Sequence, residues 1–128
     1  MRTNDITQII LDRAFHVHTK LGPGVLESVY ETVLAHELRK AGLRVERQKP
    51  IALQYDELTF EEGFRVDLLV EDRVIIEIKS VEKLVPVHPK QLLTYLRLSG
   101  CKVGLLLNFG EARLKDGIER IINGQIDD

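Results

Sequence analysis

The chain has 128 residues, of which 44% are hydrophobic and 30% charged, and its formal net charge is −2 at pH 7. This length fits one domain, residues 1–128, built around a single core. The net charge argues against a protein whose task is tight, non-specific binding of nucleic acid. It does not exclude a metal-dependent enzyme that acts on DNA, because a bound cation supplies positive charge locally.

The sequence also limits where the protein is expected to work. No segment approaches the roughly 20 apolar residues of a membrane span, and residues 1–5 lack the apolar core of a signal peptide. Cys101 is the single cysteine, so the sequence predicts neither a disulfide framework nor a cysteine metal cluster. We therefore expect a cytoplasmic protein without a membrane partner.

The first half of the chain predicts two helices followed by strands. Apolar residues recur at helical spacing over residues 6–21, until Gly22-Pro23-Gly24 breaks the helix. A second apolar stripe predicts a helix over Val25–Ala41. Two short runs, Leu43–Arg47 and Ile51–Tyr55, are then predicted to be strands.

A β-hairpin is predicted in the middle of the chain. The runs Phe64–Val70 and Val74–Lys79 are separated only by the loop Glu71-Asp72-Arg73. Side chains alternate between the two faces of a strand, so Glu77 and Lys79 share one face. The even-numbered apolar residues of the same strand point to the other face.

The register of this hairpin predicts a pair of acids. If Val70 pairs with Val74, Asp67 lies opposite Glu77, with Cβ atoms roughly 4.5–5.5 Å apart. Two facing carboxylates repel each other unless a positive group lies between them. A hard divalent cation such as Mg²⁺ would serve, and Lys79 would be a second positive group for an anionic substrate.

The alternative is that these charges form a solvated outer face. Glu77 and Lys79 would then simply face water, with Arg65 as a neighbour on the adjacent strand. Leu69 and Ile75 are predicted to share the face of the acids, which favours a partly covered face over an open one.

The second half of the chain predicts a helical crossover. A helix follows Pro86 and Pro89 and runs to Leu98, and the apolar run Val103–Asn108 predicts a strand buried on both faces. A last short helix is predicted near Leu114–Ile122. Because a helix leads into the buried strand, that strand is expected to be parallel to a neighbour. The predicted fold is α/β, a sandwich with a central mixed sheet flanked by helices.

Other polar residues are candidates for the same site. Glu27, in the first turn of the second helix, either stabilises the helix dipole or leans toward the acids. Gln91 and Tyr95 share a face of the third helix. His88 and Lys90 lie near its start, where they either contact a phosphate backbone or are ordinary surface residues.

The order of these groups along the chain resembles that of a known nuclease superfamily. The order is Glu27 on a helix, Asp67 on a strand, Glu77-Ile78-Lys79 on the next strand, and Gln91 with Tyr95 on a following helix. This order resembles the PD-(D/E)xK nuclease superfamily. Within it, residues 24–30 (GVLESVY) resemble the pattern of the GxxExxY proteins. The resemblance extends from about residue 5 to residue 122 and includes residues 48–50 (QKP) and 104–110 (GLLLNFG).

The resemblance implies a restriction-endonuclease-like fold and hydrolysis of phosphodiester bonds in DNA with Mg²⁺ or Mn²⁺. It implies that Asp67 and Glu77 bind the metal, with the Ile78 carbonyl as a third ligand. Lys79 would orient or activate the attacking water. Glu27 would bind metal or water from the side of the helix.

The same resemblance assigns roles to the third helix. Gln91 and Tyr95 resemble the QxxxY element of RecB-like nucleases, which supports the active site and the DNA. Gln91 is therefore a candidate catalytic residue, and Tyr95, Lys90 and His88 are candidates for substrate binding.

Two other functions remain open from the sequence. One is a non-catalytic module on the same fold, which binds DNA or needs a second protein. The other is a phosphodiesterase that acts on RNA or nucleotides. For a DNA nuclease, a homodimer is a further expectation, because cutting both strands of a duplex needs two sites.

Overall fold

A computed structural model of the protein describes residues 1–126 and contains one five-stranded sheet with helices on both faces. Its elements are α1 (Thr3–Leu21), α2 (Glu27–Lys40), β1 (Val45–Tyr55), β2 (Leu58–Val70), β3 (Val74–Lys79), α3 (Val87–Ser99), β4 (Val103–Asn108), a 3₁₀ turn (Leu114–Gly117) and β5 (Ile118–Ile122). The strand order is β1-β2-β3-β4-β5. Among the strands of residues 1–126, only β3 and β4 are parallel, so the predicted mixed sheet is confirmed.

Two apolar layers cover the two faces of the sheet. On one face, Ile76 and Ile78 belong to a core that also includes the buried residues of α1 and α2. On the other face, Ile75 packs with Leu92 and Leu96 of α3. This division confirms the predicted alternation along β3, because even-numbered and odd-numbered residues enter different cores.

The central hairpin has the predicted register. Val70 pairs with Val74 and Leu68 pairs with Ile76, so the loop contains three residues. Glu71 and Asp72 in this loop adopt left-handed backbone conformations, with φ of +53° and +55°. Asp67 and Glu77 therefore occupy the next facing positions, where the ladder of paired residues stops.

The prediction of two separate strands before the hairpin was wrong. Residues of Leu43–Arg47 and Ile51–Tyr55 belong to one strand, β1, which pairs with β2 across the segment between them. Gln48 has a left-handed φ of +49°, and Pro50 has no N–H to donate. Pro50 therefore resembles a strand break in sequence, although β1 pairs with β2 on both sides of Gln48 and at Pro50 itself.

The prediction of a last helix near Leu114–Ile122 was also wrong. After the 3₁₀ turn, β5 pairs antiparallel with β4 at the edge of the sheet. Ile118 packs on the core beside α1 and α2, whereas Ile121 packs on the core beside α3. In a helix these two residues, three apart, would lie on the same face. Their β-branched side chains are well suited to a strand.

The crossover from β3 to β4 is helical, as predicted, although α3 begins at Val87 and so contains Pro89 instead of following it. α3 ends at Ser99, and Gly100 follows in a left-handed conformation with φ of +80°. β4 is buried along its whole length and runs parallel to β3, with Val74 opposite Val103 and Lys79 opposite Asn108. No helix in the described part of the chain is long and apolar enough to cross a membrane.

Candidate functional site

Two acids lock β2 and β3 together where the strands separate. Beyond the pair Leu68–Ile76, side chains replace the backbone partners of the ladder. The N–H of Asp67 donates to Glu77 Oε2 at 2.8 Å, and the N–H of Ile78 donates to Asp67 Oδ2 at 2.8 Å. The carboxylates of Asp67 and Glu77, called the acid pair below, are thus held in fixed positions on neighbouring strands.

The negative charges of the acid pair are only partly offset by nearby positive charge. Glu77 is only 6% exposed, and its burial, followed by the charge of Asp67, raises its pKa to about 8. Burial also raises the pKa of Asp67, and the charge of Glu31 adds to that effect. Lys79 opposes both pKa shifts. The structure therefore brings Lys79 within electrostatic range of both acids, as their spacing predicts.

Glu27 is fixed at the end of β3. Its Oε2 accepts a hydrogen bond from the N–H of Ser80 at 3.2 Å, directly after Lys79. The Ser80 hydroxyl donates to the Val25 carbonyl at 2.7 Å. These two bonds tie the first turn of α2 to the strand that carries Glu77 and Lys79.

A cavity of about 470 Å³ lies between α2 and Asp67 of the acid pair. Its lining residues come from α2, β1, β2 and β3, and they are Glu27, Ser28, Glu31, Arg47, Gln48, Asp67 and Ile78. Three of the predicted metal ligands, Glu27, Asp67 and Ile78, therefore border one space. The fourth, Glu77, is hydrogen-bonded to Asp67.

Tyr95 approaches the acid pair from α3. Its ring stacks on Phe64, with centroids 4.3 Å apart and planes 12° apart. Burial raises the pKa of Tyr95, and the charges of Glu77 and Asp67 add to the shift. Gln91, one turn earlier on α3, is exposed and does not line the cavity.

His88 and Lys90 lie at the start of α3, outside the cavity. The N–H of Val85 donates to His88 Nδ1 at 3.2 Å, so this nitrogen already has a local partner. Lys90 is exposed, and its backbone carbonyl accepts a bond from the Thr94 hydroxyl. Their predicted contact with substrate remains a prediction.

Sequence analysis missed two residues of the site, Glu31 and Gln48. Gln48 Nε2 donates to Glu31 Oε1 at 2.6 Å and to Asp67 Oδ1 at 3.3 Å. Glu31 is only 7% exposed and forms an ion pair with Arg47 at 3.1 Å. The sequence did contain one indication of Glu31. It follows Glu27 by four residues, so the two acids share a helix face.

The tyrosine of residues 24–30 stabilises the loop before α2. The Tyr30 hydroxyl donates to the Gly22 carbonyl and accepts a bond from the N–H of Val25. Its buried ring stacks on Phe109, with centroids 4.5 Å apart. This segment and residues 104–110 therefore meet in the core below the site.

Asn108 and Gly110 hold the loop that follows β3. Asn108 Oδ1 accepts bonds from the N–H groups of Val81 and Gly110, each at 3.0 Å. The N–H of Phe109 donates to the Lys79 carbonyl at 2.8 Å. The end of β4 thus fixes the backbone beside Lys79.

The oxygen donors suit a hard divalent cation. Within residues 1–126, no group of three or more His, Cys, Asp or Glu side chains is close enough to hold a metal. A cation at this place would therefore have the two acids of the pair as its side-chain donors, supplemented by backbone or water. Carboxylate and carbonyl oxygens are the ligands that Mg²⁺ prefers, usually few in number. Burial raises the pKa of both Asp67 and Glu77, so a cation beside them would offset an electrostatic cost.

Most of the chain matches the model of a known protein family. The family model described as the PD-(D/E)XK nuclease superfamily matches residues 4–121. Searches of curated proteins and of solved structures gave no significant match. The matched range includes the acid pair, Lys79, Glu27 and all of α3.

Proposed function

Because the chain belongs to the PD-(D/E)XK nuclease superfamily, we propose that it is a metal-dependent nuclease that hydrolyses phosphodiester bonds of DNA. The observation that carries this proposal is the acid pair, which is fixed between β2 and β3 and whose Asp67 lines a cavity. The proposed cation is Mg²⁺ or Mn²⁺.

Asp67 and Glu77 are the proposed side-chain ligands, and the Ile78 carbonyl is the proposed third ligand. Glu27 is proposed to act from the side of α2 through a water bound to the cation. When bound, the cation would polarise the scissile phosphate and lower the pKa of a coordinated water. The residues fit this role because both acids are oxygen donors held in place by backbone N–H groups.

Lys79 is the proposed partner of the attacking water. Its ammonium would orient that water and offset the negative charge that develops on the phosphate. The support is its place on β3, two residues after Glu77, and its effect on both acids of the pair.

The DNA is proposed to run past the start of α3. Lys90 and His88 would contact its phosphate backbone, while Tyr95 and Gln91 would support the site from the same helix. Tyr95 has the strongest support, because the charges of both acids act on its hydroxyl.

Two further features belong to this proposal. Cutting both strands of a duplex needs two sites, so we propose that the active form is a homodimer, which sedimentation analysis tests directly. Cys101 is a free thiol, which suits the reducing cytoplasm where we propose that the protein acts.

The test is cleavage of supercoiled plasmid and of branched DNA in Mg²⁺ or Mn²⁺. Glu77→Ala and Lys79→Ala are expected to lower the rate by about 10²-fold or more, because each removes a group that acts on the reacting phosphate. Glu61→Ala and Lys115→Ala change exposed residues of the same types and are the matched controls. Equal rates in Glu77→Ala and Glu61→Ala would contradict the proposal, and an RNA substrate tests the specificity for DNA.

One observation favours a second candidate, a non-catalytic module on the same fold. Both acids of the pair already accept backbone N–H bonds, so they stabilise the junction of β2 and β3 without a metal. Titration calorimetry separates the two candidates. A nuclease is expected to bind Mg²⁺ or Mn²⁺ at micromolar to millimolar affinity, whereas a non-catalytic module would bind DNA without either ion.

A further inference from the structure

Gln48 interrupts the regular alternation of β1. Its backbone is left-handed, with φ of +49°, a conformation that residues other than glycine rarely adopt. In a regular strand, Arg47 and Gln48 would point to opposite faces. Here both side chains bond to Glu31 and both line the same cavity. The local backbone conformation therefore directs Gln48 into the site, and such conformations cluster at functional positions.

The Gln48 amide connects two carboxylates. Its Nε2 donates to Glu31 Oε1 at 2.6 Å and to Asp67 Oδ1 at 3.3 Å. An amide nitrogen has two hydrogens, so it can serve both acceptors at once. Asp67 Oδ2 already accepts the N–H of Ile78. Gln48 is thus the second of two donors that fix the plane of the Asp67 carboxylate.

Glu31 fixes the amide from the other side. Arg47 Nε donates to Glu31 Oε2 at 3.1 Å, and Arg47 Nη2 bonds to the Thr32 hydroxyl at 2.8 Å. The ion pair with Arg47 compensates the charge of Glu31. Glu31 therefore orients Gln48 and does not need to bind a cation itself.

We propose that Gln48, held by Glu31, is a positioning residue that aligns Asp67 for the divalent cation. The proposal rests on the proposed function, because it assigns Asp67 to the metal. Residues that orient a ligand in this way typically change metal affinity or activity by about 10–100-fold when removed.

The experiment is titration of Mn²⁺ into metal-free protein by calorimetry. Gln48→Asn keeps an amide and tolerates a left-handed backbone, but it is one methylene too short to reach both carboxylates. Gln48→Gly removes the side chain and also tolerates this backbone. Both variants are expected to bind Mn²⁺ about 10–100-fold more weakly than the unaltered protein. Gln54→Asn, on an exposed part of the same strand, is the matched control and is expected to bind normally.

Variants of Glu31 distinguish a positioning role of Gln48 from a purely structural one. Glu31→Gln keeps an oxygen that accepts the Gln48 amide, so it is expected to retain more Mn²⁺ affinity than Glu31→Ala. Combining Glu31→Ala with Gln48→Gly is expected to weaken binding no further than Gln48→Gly alone, because both changes remove one connected unit. Urea unfolding in a chelator tests whether each metal-free variant is folded before Mn²⁺ is added.

The outcomes separate this inference from the proposed function. If the unaltered protein binds no Mn²⁺, both fail. If it binds Mn²⁺ and Asp67→Ala abolishes binding, but Gln48→Asn and Gln48→Gly bind normally, the positioning role alone is overturned. Independent, additive losses for Glu31→Ala and Gln48→Gly would likewise overturn the link through Glu31.

Discussion

Glu77 makes the metal-free protein sensitive to pH. Its ordinary pKa is 4.5, whereas burial and the charge of Asp67 raise the pKa in the folded protein to about 8. The folded state therefore binds this proton more tightly than the unfolded state does. The resulting stabilisation is fully present below about pH 4.5 and is lost as the pH rises through 8.

In metal-free protein, the free energy of unfolding is expected to fall between pH 5 and pH 9. The slope is about 1.4 kcal/mol per pH unit wherever the folded state holds one extra proton. Glu77→Gln is expected to flatten this profile, because the amide oxygen still accepts the Asp67 N–H but does not titrate. Urea unfolding in a chelator measures both profiles. Glu61→Gln, an exposed change on β2, should keep the slope, and a Glu77→Gln slope equal to that of the unaltered protein would refute this explanation.

Tyr30 is expected to contribute to stability through its hydroxyl. Tyr30→Phe leaves the Gly22 carbonyl and the Val25 N–H without that partner. We expect a loss of about 1–2 kcal/mol in the free energy of unfolding, measured with urea. Tyr55→Phe is the matched control, because Tyr55 is 69% exposed and should lose almost nothing. Equal losses in the two variants would show that the Tyr30 hydroxyl is not a structural link.

The individual residues of the site differ in how far sequence could predict them. The position of Asp67 opposite Glu77 followed from a three-residue loop and the period of two along a strand, and both are local rules. Gln48 could not be placed in the same way. Its left-handed backbone reverses the alternation of β1, and only the bond to Glu31 on α2 indicates where the side chain points.

The loops after β3 and β4 fit together too closely to accept another methyl group. A Cβ on Gly110 would overlap the backbone of Val81. Gly110→Ala is therefore expected to cost about 1–3 kcal/mol in urea unfolding and to shift the backbone beside Lys79. Ala112→Ser adds an atom at an exposed position in the same loop and serves as the control. A Gly110→Ala protein as stable as the control would mean that these loops can move apart.

Elements defined by local pattern were predictable, whereas those defined by a distant partner were not. The hairpin and the buried strand β4 follow from a short loop and a continuous apolar run. β5 has a pattern of isoleucines that suits a helix or a strand equally. Its pairing with β4 decides the outcome, because Ile118 and Ile121 then fill cores on opposite faces of the sheet. β1 likewise remains one strand past Pro50 because β2 pairs with it.

The whole molecule brings four elements to one place. α2 supplies Glu27 and Glu31, and β1 supplies Gln48. β2 supplies Asp67, and β3 supplies Glu77 and Lys79. Because the net charge is −2, the molecule as a whole does not attract a polyanion such as DNA. Under the proposed function, Lys79, Lys90 and a bound cation would therefore provide most of the attraction for phosphate.

Binding of the proposed cation should stabilise the entire fold. A ligand that binds only the folded state adds about 2.7 kcal/mol to the free energy of unfolding at 100 times its dissociation constant. Mn²⁺ is expected to raise the melting temperature, and a chelator should reverse the increase. The increase should be larger at pH 8.5 than at pH 6, because protons compete with the cation for Glu77. Asp67→Asn should abolish the increase in melting temperature, and Glu61→Gln should preserve it. Equal stabilisation of the Asp67→Asn protein would place the metal elsewhere.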